Sequence, residues 1–155
     1  MGVYLDTSAI AKLYHPEIGA AVVEQVVNSS RNDCFIARLG LLEMHSVVTQ
    51  KVRAGELSLS DATLVLRGFR RDIRSRRFRV IALRVRHYEM AERFLDTYGP
   101  THGLRTLDAL HLALAVDLKN ARFVTSIIAA DKVLCRVAPY EGLAVIDPEA
   151  TTPTP

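Results

Sequence analysis

Three carboxylates in this chain stand where chemistry could be done: Asp6, Glu43 and Asp108. Asp6 closes the strand-like run Val3-Tyr4-Leu5, directly before a helix that Thr7 or Ser8 can cap. Open α/β sheets place ligand groups at such strand ends, although Asp6 can equally be a helix cap itself. Glu43 falls in the first turn of a predicted helix among Leu41, Leu42 and Met44, and Asp108 sits two residues after the expected cap Thr106. Taken singly, Glu43 and Asp108 are each accounted for by the favourable field of a helix N-terminus, worth about 0.3–1 kcal/mol.

Together the three acids say more, because they begin three helices that follow the sheet or a loop beside it. Two like charges about 4 Å apart repel by roughly 4 kcal/mol at an effective dielectric near 20, so such a cluster implies protonation or a bound cation. Magnesium or manganese suits this donor set: hard divalent ions take carboxylate oxygens, keep several waters and leave positions open for phosphate. There they activate water for in-line displacement.

Three segments carry these acids: Tyr4-Leu-Asp-Thr-Ser-Ala-Ile10, Leu42-Glu43 and Thr106-Leu-Asp-Ala-Leu-His-Leu-Ala113. In this order they resemble the motifs of PIN domains, most closely the VapC-type toxin ribonucleases, and the resemblance runs from Val3 to Ile146. It implies a three-layer α/β/α sandwich with a central parallel sheet of about five strands. It also implies metal ligation by Asp6, Glu43 and Asp108, magnesium- or manganese-dependent cleavage of RNA, an antitoxin protein as partner, and a homodimer.

The fourth acid of that pattern is where this chain departs from it. Relatives end a strand in Thr or Ser, then one residue, then Asp; here Thr125-Ser126 is followed by Ile127, and Asp131 comes later. Two readings stay open: Asp131 is the fourth catalytic and metal-binding acid after a small insertion, or it only caps the helix that follows. His111, three residues after Asp108, reads as a packed or hydrogen-bonded residue and not as a ligand or base. His15, His45, His87 and His102 have no mutual spacing that builds a site.

Arginines form the main basic feature. Arg67, Arg70, Arg71 and Arg74 recur at helical spacing, and Arg76, Arg77, Arg79, Arg84 and Arg86 continue the run. Arginine donates two hydrogen bonds at once to phosphate, so the group reads as a surface for nucleic acid or an acidic partner, although each residue alone could belong to an ordinary solvated helix face. Arg70 and Arg74 are the RNA-contact candidates there, and Arg105, close to Asp108, is a candidate for holding the scissile phosphate.

The elements that must position these groups alternate between short apolar runs and 3.6-residue periodicity, the succession of an α/β domain with a parallel sheet. Strands are predicted at Val3–Leu5, Cys34–Ala37, Phe78–Ala82, Arg122–Thr125 and Leu143–Ile146. Helices are predicted at Ala9–Tyr14, Glu17–Val27, Leu41–Arg53, Asp61–Arg74, Val85–Tyr98, Leu107–Leu118 and Asp131–Val137, with Ser60 and Thr106 as caps of the fourth and sixth. Gly55 is the expected left-handed terminator of the third.

The 155 residues, 49% of them hydrophobic, are enough for one core, read as a single domain over 1–147 with a flexible tail from 148 to 155. No apolar stretch approaches the roughly 20 residues of a membrane span, and no secretion signal is visible, so a soluble cytoplasmic protein is expected. Cys34 and Cys135 lack metal or disulfide spacing and read as buried free thiols. The net charge of +3 permits an anionic partner without requiring one.

Besides an active ribonuclease, the sequence admits a PIN-fold module for RNA or protein binding in which catalysis is weakened, favoured by the irregular stretch from Thr125 to Asp131. A phosphotransferase of the haloacid-dehalogenase class, with Asp6 as nucleophile, is disfavoured because that class places a second Asp two residues on, where this chain has Ser8.

Overall fold

The structure, a computed structural model, describes residues 2–150. Five short strands, β1 (Gly2–Leu5), β2 (Asp33–Ala37), β3 (Arg79–Ile81), β4 (Ser126–Ile128) and β5 (Ala144–Ile146), form one parallel sheet in the order β3-β2-β1-β4-β5. Seven helices connect and cover them: α1 (Thr7–Lys12), α2 (Ala20–Asn28), α3 (Leu39–Arg53), α4 (Leu59–Arg74), α5 (Val85–His102), α6 (Thr106–Asn120) and α7 (Lys132–Val137).

Successive strand residues point to opposite faces, and this alternation divides the core in two. Val3, Leu5, Cys34, Ile36 and Ile128 face a cluster completed by Ile10 of α1, Val23 of α2, Met44 of α3 and Phe69 of α4. Tyr4, Phe35, Ala37 and Ile127 face the other, completed by Phe94 of α5, Leu114 of α6 and Leu134 of α7. A parallel sheet buried on both faces needs apolar residues at consecutive positions, which is why its strands read as unbroken runs. The result is the three-layer α/β/α sandwich expected.

β4 lies beyond the predicted Arg122–Thr125. The backbone N–H of Phe123 bonds to the carbonyl of Leu118, and that of Arg122, at φ 63°, bonds to Lys119. These bonds close the C-terminus of α6 in a Schellman-type turn, so the first half of the apolar run terminates a helix. The register with β1 runs from Ser126, after a bond from the Thr125 N–H to the Gly2 carbonyl, and Ile128 sits opposite Leu5. Helix α5 likewise runs four residues past the expected Tyr98, through Pro100 to His102; Ser58, not Ser60, caps α4 by accepting from the Asp61 N–H, and α6 begins at Thr106 with Arg105 as its cap residue. Gly55 takes φ 76° just past α3, as expected.

The C-terminal segment departs from a flexible tail starting at 148. Pro148 is buried, and Glu149 pairs with Lys12 at 2.7 Å and with Lys132 at 3.2 Å. Lys12 itself is only 4% exposed and also donates to the Ile18 carbonyl, so desolvation makes it dependent on these partners. The rest of the expected tail, 151–155, lies outside the described residues. Cys34 is buried, whereas Cys135 is half-buried and bonds through Sγ to the Ala129 carbonyl; burial pushes both thiols up to about 11.

Candidate active site

Parallel strands all present their C-terminal ends at one edge, and β1, α3, α6 and the start of α7 bring their acids together there. A cleft of about 520 Å³ is lined by Asp6, Glu43, Asp108 and Asp131, with Thr7, Ser8, Ser46, Gln50, Arg105 and Leu107.

Asp6 follows β1 directly, and its own N–H bonds to the carbonyl of Ile128 at the end of β4. Its Oδ2 accepts from the Ser8 N–H and from Ser8 Oγ, at 3.0 and 2.5 Å, so Asp6, and neither Thr7 nor Ser8, caps α1. Ser8 Oγ in turn accepts from the Ala130 N–H at 2.9 Å, tying this turn to the segment that leads into Asp131. The second oxygen, Oδ1, lies 3.6 Å from His111 Nδ1.

Glu43 reaches the cleft from the first turns of α3. Its Oε2 accepts from Thr7 Oγ1 at 2.7 Å and lies 2.5 Å from His111 Nε2. Since a carboxylate only accepts, Nε2 carries the proton in that bond; Nδ1 meets the Tyr4 hydroxyl at 2.7 Å, accepting from it when the ring is neutral and donating to it when the ring is charged. Burial alone would raise Glu43, but the bonds from His111 and Thr7 hold it below its ordinary range. Gly40 permits the close approach of α3 to α1: a Cβ there would stand 3.0 Å from Thr7 Oγ1. His111 is therefore a buried, hydrogen-bonded residue, as its sequence context suggested, and it clamps one of the acids.

Asp108, in the first turn of α6, is held differently. Burial and the neighbouring charge of Asp131 raise it, Arg105 opposes them, and Asp6 adds to the rise. The Arg105 Nε–H donates to Asp108 Oδ2 and Nη2–H to Asp131 Oδ2, each at 3.2 Å. Asp131 serves two masters. Its Oδ1 accepts from the N–H groups of Val133 and Leu134, both at 2.9 Å, and so caps α7, while Oδ2 points to Arg105 in the cleft. One oxygen of Asp131 thus makes the helix cap, and the other faces the cleft.

Four acids on one cleft give an oxygen-only donor set suited in chemistry to a hard divalent cation. Among the described residues, however, no group of three or more His, Cys, Asp or Glu side chains is disposed to hold one. Glu43 is engaged by His111 and Thr7, and the Arg105 guanidinium lies between Asp108 and Asp131. The donors fit; their present arrangement is held by protein groups.

The PIN domain family profile matches residues 3–139. The chain belongs to the PIN domain family. PIN domains are in general nucleases, which agrees with an acidic cleft at the strand ends of this one. The crystal structure of FitAcB from Neisseria gonorrhoeae is similar to this PIN domain at TM-score 0.63 and 16% identity, covering 94% of this chain and 97% of that one. PAE2754 from Pyrobaculum aerophilum is similar at TM-score 0.61 and 17% identity, covering 94% and 83%. At such identities the likeness is one of fold. No curated protein sequence matches the chain.

The arginine run does not form one surface on this PIN domain. Arg77 pairs with Asp72 at 2.6 Å, Arg79 with Asp33 at 2.8 Å and Arg86 with Asp117 at 2.7 Å, so these three are neutralised locally. The distant acids Asp33 and Asp117 are brought to them only by folding. Arg67, Arg70 and Arg74 have no carboxylate partner among the described residues and line a groove along α4 with Thr63 and Leu66. Arg70 also meets His45 of α3 at 3.2 Å. In the sequence His45 carries no functional reading, Thr7 and Ser8 read only as possible caps of α1, and nothing marks Tyr4 as the partner of His111; the Asx turn at Asp6-Thr-Ser8 is the one local signal for Ser8.

Proposed function

We propose that this PIN domain is a magnesium- or manganese-dependent endoribonuclease acting as the toxin of a type II toxin–antitoxin pair. The observation that carries the reading is the convergence of Asp6, Glu43, Asp108 and Asp131 on one cleft in a chain of this family. Asp6, Asp108 and Asp131 would hold the cation, and Glu43 would join them from the His111 side. A divalent ion bound there supplies charge to the phosphate oxygens and activates water for attack.

The chain's own groups define the rest of the work. Ser8 fixes Asp6 and His111 fixes Glu43, so these two carboxylates keep their places with little reorganisation. Arg105, whose side chain is 73% exposed at the rim, is the guanidinium nearest the place a scissile phosphate would take. Arg67, Arg70 and Arg74 form the second basic contact, set apart by α3, which turns Glu43 and Gln50 toward the cleft and His45 toward Arg70. RNA is the proposed substrate.

The toxin role, with a cognate antitoxin and a homodimeric state, rests on the likeness of the three motifs to those of VapC-type toxins. A cytoplasmic location is proposed with it; among the described residues no helix is long and apolar enough to cross a membrane. The test is cleavage of fluorescent RNA by purified protein with magnesium or manganese, beside Asp6→Asn and Asp108→Asn. Undiminished cleavage by either folded variant would sink the metal assignment. A second reading, a PIN-fold binding module with weakened catalysis, is favoured by one observation, the engagement of Glu43 and Asp108 by protein groups; RNA binding without metal-dependent cleavage would establish it.

A further inference from the structure

We infer that Arg105 is a displaceable internal counter-ion, which holds Asp108 and Asp131 together in the free protein and yields them when a divalent cation binds, freeing its guanidinium for a substrate phosphate. The inference rests on the metal reading above and goes beyond it, since it couples cation binding to substrate binding through one side chain.

The geometry supplies the reasons. Arg105 meets two carboxylates from different helices through different nitrogens, Nε to Asp108 and Nη2 to Asp131, each at 3.2 Å. Those are the two cleft acids with the least other support. Asp108 has no other side-chain partner among those described, and Asp131 Oδ2 has none, its Oδ1 being spent on the α7 cap. Asp6 and Glu43, by contrast, are held by Ser8, Thr7 and His111. The guanidinium thus sits where positive charge is most wanted.

It is also easily moved. The Arg105 side chain is 73% exposed against 14% and 22% for its partners, and both bonds are long for charge-assisted ones. Exposed ion pairs of this kind are worth little, so a divalent ion taken up by these carboxylates would displace the arginine. Release costs the helix nothing, because Arg105 precedes α6 without making a side-chain cap. By linkage, a cation that frees Arg105 strengthens phosphate binding, and phosphate held by Arg105 strengthens cation binding in the same ratio.

Three measurements on the full chain test this. In calorimetric titration with manganese, Arg105→Gln should bind about two- to five-fold more tightly than wild type, the competition from an exposed pair having been removed. Equal or weaker binding overturns the inference while leaving the metal reading in place; no binding by either protein overturns both. In wild type, the side-chain Nε–H resonance of Arg105, identified by its absence in the variant, should shift as magnesium saturates the site. A resonance unmoved at saturation overturns displacement, even if Arg105→Gln binds more tightly through its charge alone. Finally, magnesium should tighten binding of a cleavage-resistant 2′-O-methyl RNA more in wild type than in Arg105→Gln, and equal enhancement overturns the coupling.

Discussion

Glu43 Oε2 lies 2.5 Å from Nε2 of His111, a contact between the first turns of α3 and the buried interior of α6 made across 68 residues of sequence. It fixes one acid of the cleft from below while the Tyr4 hydroxyl supports the other ring nitrogen.

That pair makes stability depend on pH in a stated direction. Burial alone would lower His111, but Glu43, Asp6 and Asp108 hold it above its ordinary 6.5, while Glu43 is held below its ordinary 4.5. The Glu43 contribution is present above pH 4.5 and lost as pH falls through its lowered value; the His111 contribution is present below pH 6.5 and lost as pH rises through its raised value. Metal-free wild type should therefore melt highest between these limits. His111→Gln should melt lower, by about 1–3 kcal/mol of stability, and with a flatter pH profile. Thermal scans across pH would refute this if the two profiles ran parallel.

Asp108 should show the opposite balance between stability and function. Its carboxyl is raised by burial and by Asp131, so its charge is a cost to the metal-free fold, set against the help it gets from Arg105. Asp108→Asn should abolish cleavage yet leave the metal-free Tm unchanged or raised by up to about 3 °C. It should also lose the Tm increase that manganese gives wild type. A marked drop in metal-free Tm would mean that the acid is there for the fold.

At Asp131 two substitutions separate the two oxygens. Asp131→Asn keeps an oxygen for the Val133 and Leu134 N–H groups but removes the charge facing the cleft. Manganese affinity should fall several-fold with little loss of stability. Asp131→Ala should lose the cap as well, at about 1 kcal/mol. Wild-type affinity in Asp131→Asn, read by calorimetry, would leave Asp131 a cap alone.

The groove along α4 is testable by salt. Arg70→Ala with Arg74→Ala removes two exposed cations that lack carboxylate partners among the described residues. If both contact phosphates, RNA affinity falls and the slope of log K against log salt flattens by about 1.4, two contacts at roughly 0.7 each for a single strand. Folding should be unaffected. An unchanged slope in a binding titration would assign the groove to a protein partner or to solvent.

By itself the sequence determined the layers and three of the four acids' places. Val3 to Leu5 and Cys34 to Ala37 are short unbroken apolar runs of the kind a parallel sheet buries on both faces, and Met44 with Val48, or Ala62 with Phe69, mark the inward faces of α3 and α4 by spacing alone. An acid directly after a strand, or in the first turn of a helix, then falls at the sheet edge because a parallel sheet puts all such points on one side. Tertiary structure decided what local pattern left ambiguous. The run Arg122 to Ile128 has apolar pairs, Phe123-Val124 and Ile127-Ile128, on either side of Thr125-Ser126, and only the bond from Phe123 to Leu118 and the pairing of Ile128 with Leu5 tell helix cap from strand. The same holds for charge: Arg79 and Arg86 read like Arg70 until Asp33 and Asp117 arrive beside them from 46 and 31 residues away. So too for Arg105, whose two carboxylate partners lie 3 and 26 residues away and meet only in the folded cleft. Propensity and periodicity act over a turn or a strand, whereas a carboxylate's partner is set by which distant backbone the packed core brings within 3 Å.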